Sequence, residues 1–142
     1  MLVEKIRRKS DFSPEFLQLK LPGIERLGCD RPLVLLDIGG LRTAENAEIL
    51  RRCTHLILIS RDPSEFEPWQ RFAATEGCST IAHFHSHLVK QPDGSLDNYQ
   101  RSQVQLGQSP ASGQLYNLSR EGDAVTYAAA IAQIADWLRE TQ

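Results

Sequence analysis

The chain has 142 residues, of which 41% are hydrophobic, and its formal net charge is −2. This size and composition predict a single domain, residues 1–142, with its own hydrophobic core. The near-neutral charge excludes a basic protein that coats long nucleic acids, although it permits a local basic pocket. No apolar run approaches the roughly 18–20 residues that span a bilayer, so we expect no membrane partner.

The N-terminus and the cysteines bear on the cellular compartment. Residues 1–9 carry charges that no apolar segment follows, so we expect no signal peptide. Three widely spaced cysteines, Cys29, Cys53 and Cys78, fit neither a zinc ribbon nor a disulfide framework. We therefore predict a cytoplasmic protein with reduced thiols.

The first predicted elements are two strands and a helix. Residues 16–21 alternate apolar and polar side chains, which predicts a half-exposed strand ended by the Pro-Gly pair that follows. Residues 32–37 form an apolar run that ends in Asp37, which is typical of a strand buried on both faces of a parallel sheet. A helix is predicted over residues 43–53, with Thr43 as its N-cap.

The alternation of strands and helices then continues. Residues 55–60 predict a second buried strand, and Ser64 is the predicted cap of a helix that ends near Thr75, closed by Gly77. Residues 79–85 predict a third strand. This order with short connections indicates a Rossmann-like, three-layer α/β domain with a mainly parallel sheet, its three strands side by side.

The composition changes after the third strand. Residues 89–113 are rich in Gln, Ser, Gly, Pro and Asp, which predicts a long polar loop, either functional or disordered. A short strand is predicted over residues 114–118, and an Ala-rich amphipathic helix over residues 124–139 closes the domain. Asp123 fits the cap of that helix better than a ligand contact.

The most informative stretch, Asp37-Ile38-Gly39-Gly40-Leu41-Arg42-Thr43, follows the apolar run at residues 32–37. Ligands of open α/β sheets bind beyond the carboxyl ends of strands, and free N–H groups at a helix N-terminus favour an anion. Two interpretations stay open: the glycines make a tight turn, or they let the backbone approach a ligand. The stretch lacks a G-x-x-x-x-G-K-[ST] loop, and no G-x-G-x-x-G follows a predicted strand, so NTP hydrolysis is not expected.

Three histidines alternate along the third predicted strand. His83, His85 and His87 would share one face of an extended strand, where they could bind a divalent metal or a phosphate. The alternative is that they are ordinary residues facing a helix or solvent. Because Asp37, Ser60 and the histidines end three strands, we expect them to converge on one crevice.

Further candidate residues follow the strand ends. Arg42 and Arg61 could each bind a phosphate through two hydrogen bonds. Asp62 fits an Asx turn before the following proline better than a ligand contact. Trp69 and Phe72 fit the core better than a surface on which bases stack, and Cys53 and Cys78 fit small buried residues.

The Asp37-to-Thr43 stretch, in a Rossmann-like domain of this size, resembles the CRISPR-associated Rossmann-fold (CARF) proteins. Residues 37–40, 54–60 and 118–122 are also similar to the kinase-like half fused to some cyanobacterial CRISPR ring nucleases. The likeness covers residues 32–123. CARF proteins bind cyclic oligoadenylates made by type III CRISPR systems, and ring nucleases cleave these messengers.

The resemblance implies a homodimer in antiviral defence that binds a cyclic oligoadenylate across its two-fold axis. The implied ligand-binding residues are Gly39, Gly40, Arg42, Thr43, Ser60 and Arg61. His85 would act as a general base, and His87 or Arg61 would stabilise charge. Asp37 or a histidine of the 83–87 cluster would orient a ribose hydroxyl. A metal-assisted version would use His83, His85 and Asp37 as ligands of a divalent cation such as manganese.

Two other classes of function stay open from the sequence. A sensor or sponge would hold the same nucleotide without cleaving it, with residues 89–113 as a lid that contacts a partner. An assembly domain without a small ligand would use the glycines only for turns.

Overall fold

The computed structural model describes residues 13–119 and 123–141 of the chain. Its elements are α1 (Pro14–Asp30), α2 (Ala44–Leu50), β1 (His55–Ser60), α3 (Phe66–Thr75), β2 (Ser79–His87), β3 (Gln103–Gln105), β4 (Ala111–Tyr116) and α4 (Ala128–Glu140). Short 3₁₀ turns, Pro63–Glu65 and Ala124–Thr126, precede α3 and α4. The charged segment 1–9 and part of the segment 118–122 lie outside the described residues. Among the described helices, none is long and apolar enough to cross a membrane.

The four strands form one mixed sheet in the order β1-β2-β4-β3. Strands β1, β2 and β4 run parallel, and β3 pairs antiparallel with β4. In this register Ser60 lies opposite His85, and His87 lies opposite Tyr116. The carboxyl ends of three parallel strands therefore meet at one edge, as the predicted Rossmann-like α/β fold with a C-terminal helix requires.

Helices cover both faces of the sheet. On one face, Leu56 and Leu58 of β1 pack with Trp69 of α3. On the other face, Phe84 of β2 packs with Ile134 of α4. Because successive strand residues point to opposite faces, these two clusters form the inner surfaces of three layers. A third cluster joins α1 to α2 and contains Leu17, Leu21 and Ile49.

Several predicted elements in the middle of the chain are confirmed. Thr43 caps α2, because its hydroxyl accepts a hydrogen bond from the Asn46 N–H at 3.2 Å. Strand β1 has the predicted bounds, and β2 extends two residues beyond the predicted strand. Ser64 does not cap α3, which begins without a side-chain cap; instead Asp62 caps the preceding 3₁₀ turn, where its Oδ1 accepts from the Ser64 N–H at 2.9 Å. Gly77 follows α3 with a left-handed φ of 77°.

The strand predicted over residues 16–21 is wrong, since these residues lie in α1. Ser13 caps this helix and Pro14 occupies its first position, which are both helix-starting signals. Leu17 and Leu21 are its buried residues, and their spacing of four places them on one helical face. The apolar positions of this segment fit the period of a strand as well as that of a helix. The N-cap and the packing of the segment in the fold therefore favour the helix over the strand.

The buried strand predicted over residues 32–37 is also wrong, because this segment forms no regular structure. Leu33 and Leu35 are 38% and 70% exposed, whereas Leu36 packs against the cluster between α1 and α2. The segment is therefore covered on one side only. Strand β1 is consequently at the edge of the sheet, and only two of the three predicted strands lie side by side.

The segment predicted as a long polar loop, residues 89–113, contains β3 and the start of β4. Val104 and Ala111 pack into the cluster under α4, whereas Gln103 and Gln105 of the edge strand are exposed. The polar composition of this edge concealed the strands from a sequence-based prediction.

A buried asparagine, Asn117, organises the connection that follows β2. Its Oδ1 accepts from the Val89 N–H at 2.7 Å, and its Nδ2 donates to the Asp97 carbonyl at 2.7 Å. Its own N–H donates to the His87 carbonyl at 2.8 Å. Asn117 also adopts a left-handed φ of 52°, which asparagine tolerates better than most residues. These contacts fix the chain on both sides of the carboxyl end of β2.

Candidate functional site

The predicted site residues lie around two adjoining depressions, so the expectation of a single crevice is wrong. A cleft of about 1350 Å³ is lined by the predicted residues Asp37, Gly39, Gly40, Arg42 and Ser60. A groove of about 780 Å³ is lined by His83 and His85 with Gln105, Ser112 and Gln114. Phe66 of α3 lines both depressions, and its ring centroid lies 4.9 Å from that of His83. Of the predicted site residues, Thr43, Arg61 and His87 line neither depression.

Three rings lie in contact in a row, which we name the stack, on the face of the sheet that α3 only partly covers; the His85 ring is tilted by 46° from that of His87. The ring centroids of His85 and His87 are 3.9 Å apart, and those of His87 and Tyr116 are 4.8 Å apart at an interplanar angle of 18°. The pleat of β2 brings the two histidines to one face, and the register with β4 adds Tyr116. His85 and His87 thus share one face, as their spacing predicts. The ring of Tyr116 lies beside them, which could not be predicted from the sequence.

Both imidazoles of this pair are held through Nε2. Nε2 of His85 lies 3.0 Å from the Arg61 carbonyl oxygen, and Nε2 of His87 lies within hydrogen-bond distance of Gln114 Oε1. The backbone carbonyl oxygen of Arg61 can only accept, so this contact requires a proton on Nε2 of His85 and leaves Nδ1 as the basic atom of its neutral ring. The same tautomer applies to His87 when the Gln114 carboxamide presents Oε1 to its Nε2. Gln114 has no signal in the sequence, since only the pairing of β4 with β2 brings it beside His87.

His83 has a different environment from the other two histidines. Its ring packs against Phe66, and it is not part of the stack. Within residues 13–119 and 123–141, no three His, Cys, Asp or Glu side chains come together as a metal-binding group. The proposed ligand set of His83, His85 and Asp37 is therefore not assembled, because Asp37 lines the cleft on the other side of Phe66.

The turn after β1 places a carboxylate near His85. Asp62 Oδ1 accepts hydrogen bonds from the hydroxyl and the N–H of Ser64, at 2.7 and 2.9 Å. These bonds lower the pKa of the Asp62 carboxyl, and the nearby charge of His85 acts in the same direction. Ser60 Oγ accepts from the Asp62 N–H at 3.1 Å. Asp62 is thus the predicted Asx-turn residue, and the turn holds the Arg61 carbonyl beside His85.

Arg42 is engaged within the protein. Its guanidinium donates to the Glu65 carboxylate at 2.7 Å and lies 5.8 Å from the ring centroid of Trp69. The two charged side chains are 36% and 46% exposed, and ion pairs at such positions contribute only about 0–1 kcal/mol. A phosphate in the cleft can therefore compete with Glu65 for Arg42.

The fold itself gives no reason for glycine at positions 39 and 40. Among the glycines of the described residues, only Gly77 and Gly94 have a positive φ. A Cβ at Gly40 would meet nothing within 4 Å, and one at Gly39 would lie 3.4 Å from Asn46 Nδ2. The tight-turn interpretation therefore loses its physical basis. A close-approaching ligand, or a change of backbone conformation, would still require glycine here.

Asn46 holds the loop that contains these glycines. It is 3% exposed, and its Nδ2 donates to the carbonyl oxygens of Gly39 at 3.0 Å and Leu41 at 2.7 Å. The side-chain amide thus ties the loop backbone to the first turn of α2. This role of Asn46 is not visible in the sequence, because the backbone carbonyl groups that it binds carry no sequence signal.

Of the two cysteines predicted to be buried, Cys53 lines the cleft, whereas Cys78 lines neither depression. Cys78 is 1% exposed in the cluster between α3 and β1, and Cys53 is half-buried beside it. Burial raises the pKa of the Cys78 thiol to about 11, with a smaller contribution from Cys53. The prediction of a small buried residue is therefore confirmed for Cys78, whereas Cys53 is only half-buried.

This raised thiol pKa predicts a loss of stability at alkaline pH. The Cys78 thiol has a pKa of about 8.5 in an unfolded chain, but burial raises its pKa to about 11 in the folded protein. The folded state is therefore favoured fully below the unfolded pKa, and this advantage is lost as the pH rises toward 11. Urea midpoints should fall between neutral pH and strongly alkaline pH, and Cys78→Val should flatten that slope. Identical slopes in the two proteins would contradict the assignment.

Compared with known proteins, the chain matches no family model, no curated protein and no solved structure at a significant level, so the site must be interpreted from its own geometry.

Proposed function

We propose that the chain binds a cyclic oligoadenylate at the carboxyl ends of β1, β2 and β4, and that His85 and His87 cleave one of its phosphodiester bonds. The observation that carries this proposal is the contact between the two imidazoles, with centroids 3.9 Å apart and both Nε2 atoms engaged by carbonyl oxygens. Two imidazoles held in this way can supply a base and an acid to the same bond.

The cleavage step uses the ribose of the ligand as nucleophile. Nδ1 of one neutral histidine accepts the proton of the 2′-hydroxyl, and the 2′-oxygen attacks the adjacent phosphorus. The bond from phosphorus to the 5′-oxygen breaks, and the protonated second imidazole donates a proton to that oxygen. The products are a linear chain with a 2′,3′-cyclic phosphate and a 5′-hydroxyl. Asp37 lines the cleft instead of the groove, so it takes no part in this step.

The surrounding residues suit a ligand with several phosphates and bases. Gly39, Gly40, Arg42 and Ser60 line the cleft on the side where β1 ends. Gly39 and Gly40 permit close approach of a phosphate. Arg42 can leave its ion pair with Glu65 and bind this phosphate instead. Tyr116 stacks on His87 with one ring face and can stack an adenine on the other, and such stacking contributes about 1–3 kcal/mol per base. A symmetric ring would be held between two copies of the chain.

The test is to incubate the purified chain with cyclic tri-, tetra- and hexa-adenylate and to separate the products by chromatography. One arm contains a chelator and another contains manganese. Linear products in the chelator arm support the proposal, whereas cleavage that needs manganese contradicts the metal-free step. Unchanged ligand that co-elutes with the protein indicates a sensor or sponge. Neither binding nor cleavage would refute the proposal and leave an assembly role.

A further inference from the structure

Strand β1 has an open edge that faces the large cleft. It pairs with β2 on one side, and no other strand of the described chain pairs with it. Ile59 is 53% exposed, and β1 carries neither a lysine nor a proline, the residues that commonly protect an edge. Unpaired backbone groups of β1 therefore line the cleft.

The opposite wall of the cleft is formed by residues 33–38, which we name the cleft segment. Its exposure alternates along the chain. The exposed positions are Leu33, Leu35 and Asp37, and the half-buried positions are Val34, Leu36 and Ile38. A period of two is the pattern of a strand. Within the described part of the chain, the cleft segment makes no backbone–backbone hydrogen bond.

The side chains of the cleft segment already match the two layers of the sheet. Ile38 packs against the cluster that contains Leu58 of β1, on the α3 side. The alternate positions Leu33 and Leu35 lie on the other side of the segment, where Leu138 of α4 also lines the cleft. A strand inserted here would therefore find apolar neighbours on both of its faces.

We propose that the cleft segment closes onto β1 as a parallel strand and exchanges with the open arrangement of this structure. Closure pairs the free backbone groups of the two segments and covers Leu33, Leu35 and Ile59. The connection through α2 then becomes a strand–helix–strand crossover of ordinary length. Closure also explains the glycine pair, because Gly39 and Gly40 form the hinge whose backbone angles must change. The closing movement brings both glycines toward Ser60, which lines the same cleft.

The first test compares lysine substitutions at two leucines with nearly equal exposure. Leu35 is 70% exposed and Leu19, on α1, is 75% exposed, so the open structure tolerates lysine at either position. In the closed form the side chain at position 35 lies against α4, where a charge is unfavourable. We expect Leu35→Lys to raise the unfolding equilibrium constant by about tenfold and Leu19→Lys to leave it nearly unchanged. Equal effects of the two variants would overturn the proposal.

A second test measures amide hydrogen exchange on the full chain without nucleotide. Closure should slow exchange of alternate amides within residues 34–38 by about tenfold or more relative to an unpaired segment, at every protein concentration. Unslowed exchange would overturn the proposal. Slowing that appears only at high concentration would also overturn it, since the edge would then be covered by a second copy. Neither test contains ligand, so its failure is distinct from a failure of cyclic oligoadenylate binding.

Discussion

Replacing His85 or His87 with alanine is expected to lower the rate of cyclic oligoadenylate cleavage by about 10²–10⁴-fold, which is the usual contribution of a general acid or base. The two Nδ1 atoms are the proposed proton acceptor and donor. Neither substitution removes a proposed contact between the protein backbone and a phosphate of the ligand. Binding of uncleaved ligand should therefore persist, with a modest loss for His87→Ala because its ring stacks on Tyr116. Single-turnover rates and equilibrium titration measure the two effects separately.

Two histidines of the same chain serve as matched controls. His83 packs against Phe66 outside the stack, and His55 lies at the other end of β1. We expect both alanine variants to cleave at close to the unmodified rate. Full activity in His85→Ala and His87→Ala would remove these residues from the chemistry. A parallel loss in His55→Ala would indicate damage to the sheet instead.

Replacing Gly113 with alanine is expected to destabilise the protein by about 1–3 kcal/mol, the usual cost of forcing added volume into a packed site. A Cβ at this position would lie 2.3 Å from the Gln103 carbonyl oxygen and 2.9 Å from Val104 Cα. Both are backbone atoms of β3, so neither can rotate away. Relief requires β3 to move off β4, which breaks the antiparallel pairing and opens one wall of the groove. Urea unfolding measures the loss.

Gly107→Ala is the control for this substitution. Gly107 lies in the connection between β3 and β4, and a Cβ there would meet nothing within 4 Å. We expect a change within about 0.5 kcal/mol. A similar loss in both variants would show that the connection as a whole is sensitive to alanine, against the argument from close approach at Gly113.

Local signals account for the elements that sequence analysis predicted well. The cap of α2 depends on Thr43 and Asn46, three residues apart, and Gly77 ends α3 through its own backbone angles. The bounds of β1 follow from a short apolar run between polar residues. In each case the residues that decide the structure are neighbours along the chain, so their pattern is visible without the fold.

The histidine site was predictable only in part. The period of a strand places His85 and His87 on one face, and this determines that their rings meet. The groups that fix their tautomers, Gln114 and the Arg61 carbonyl, come from other segments, 27 and 24 residues away in sequence. The separation of Asp37 from the histidines likewise results from the position of Phe66 between the two depressions.

The sequence by itself determined the α/β class, the mainly parallel sheet and the face shared by the histidines, because periodicity and capping are properties of neighbouring residues. Only the tertiary structure decided what covers each apolar segment. Residues 16–21 are helical because Ser13 caps the helix and because Leu17 packs against α2. Residues 32–37 have the composition of a buried strand but are packed on one side only. Burial is a relation between distant segments, and a run of apolar residues cannot specify which segment will cover it.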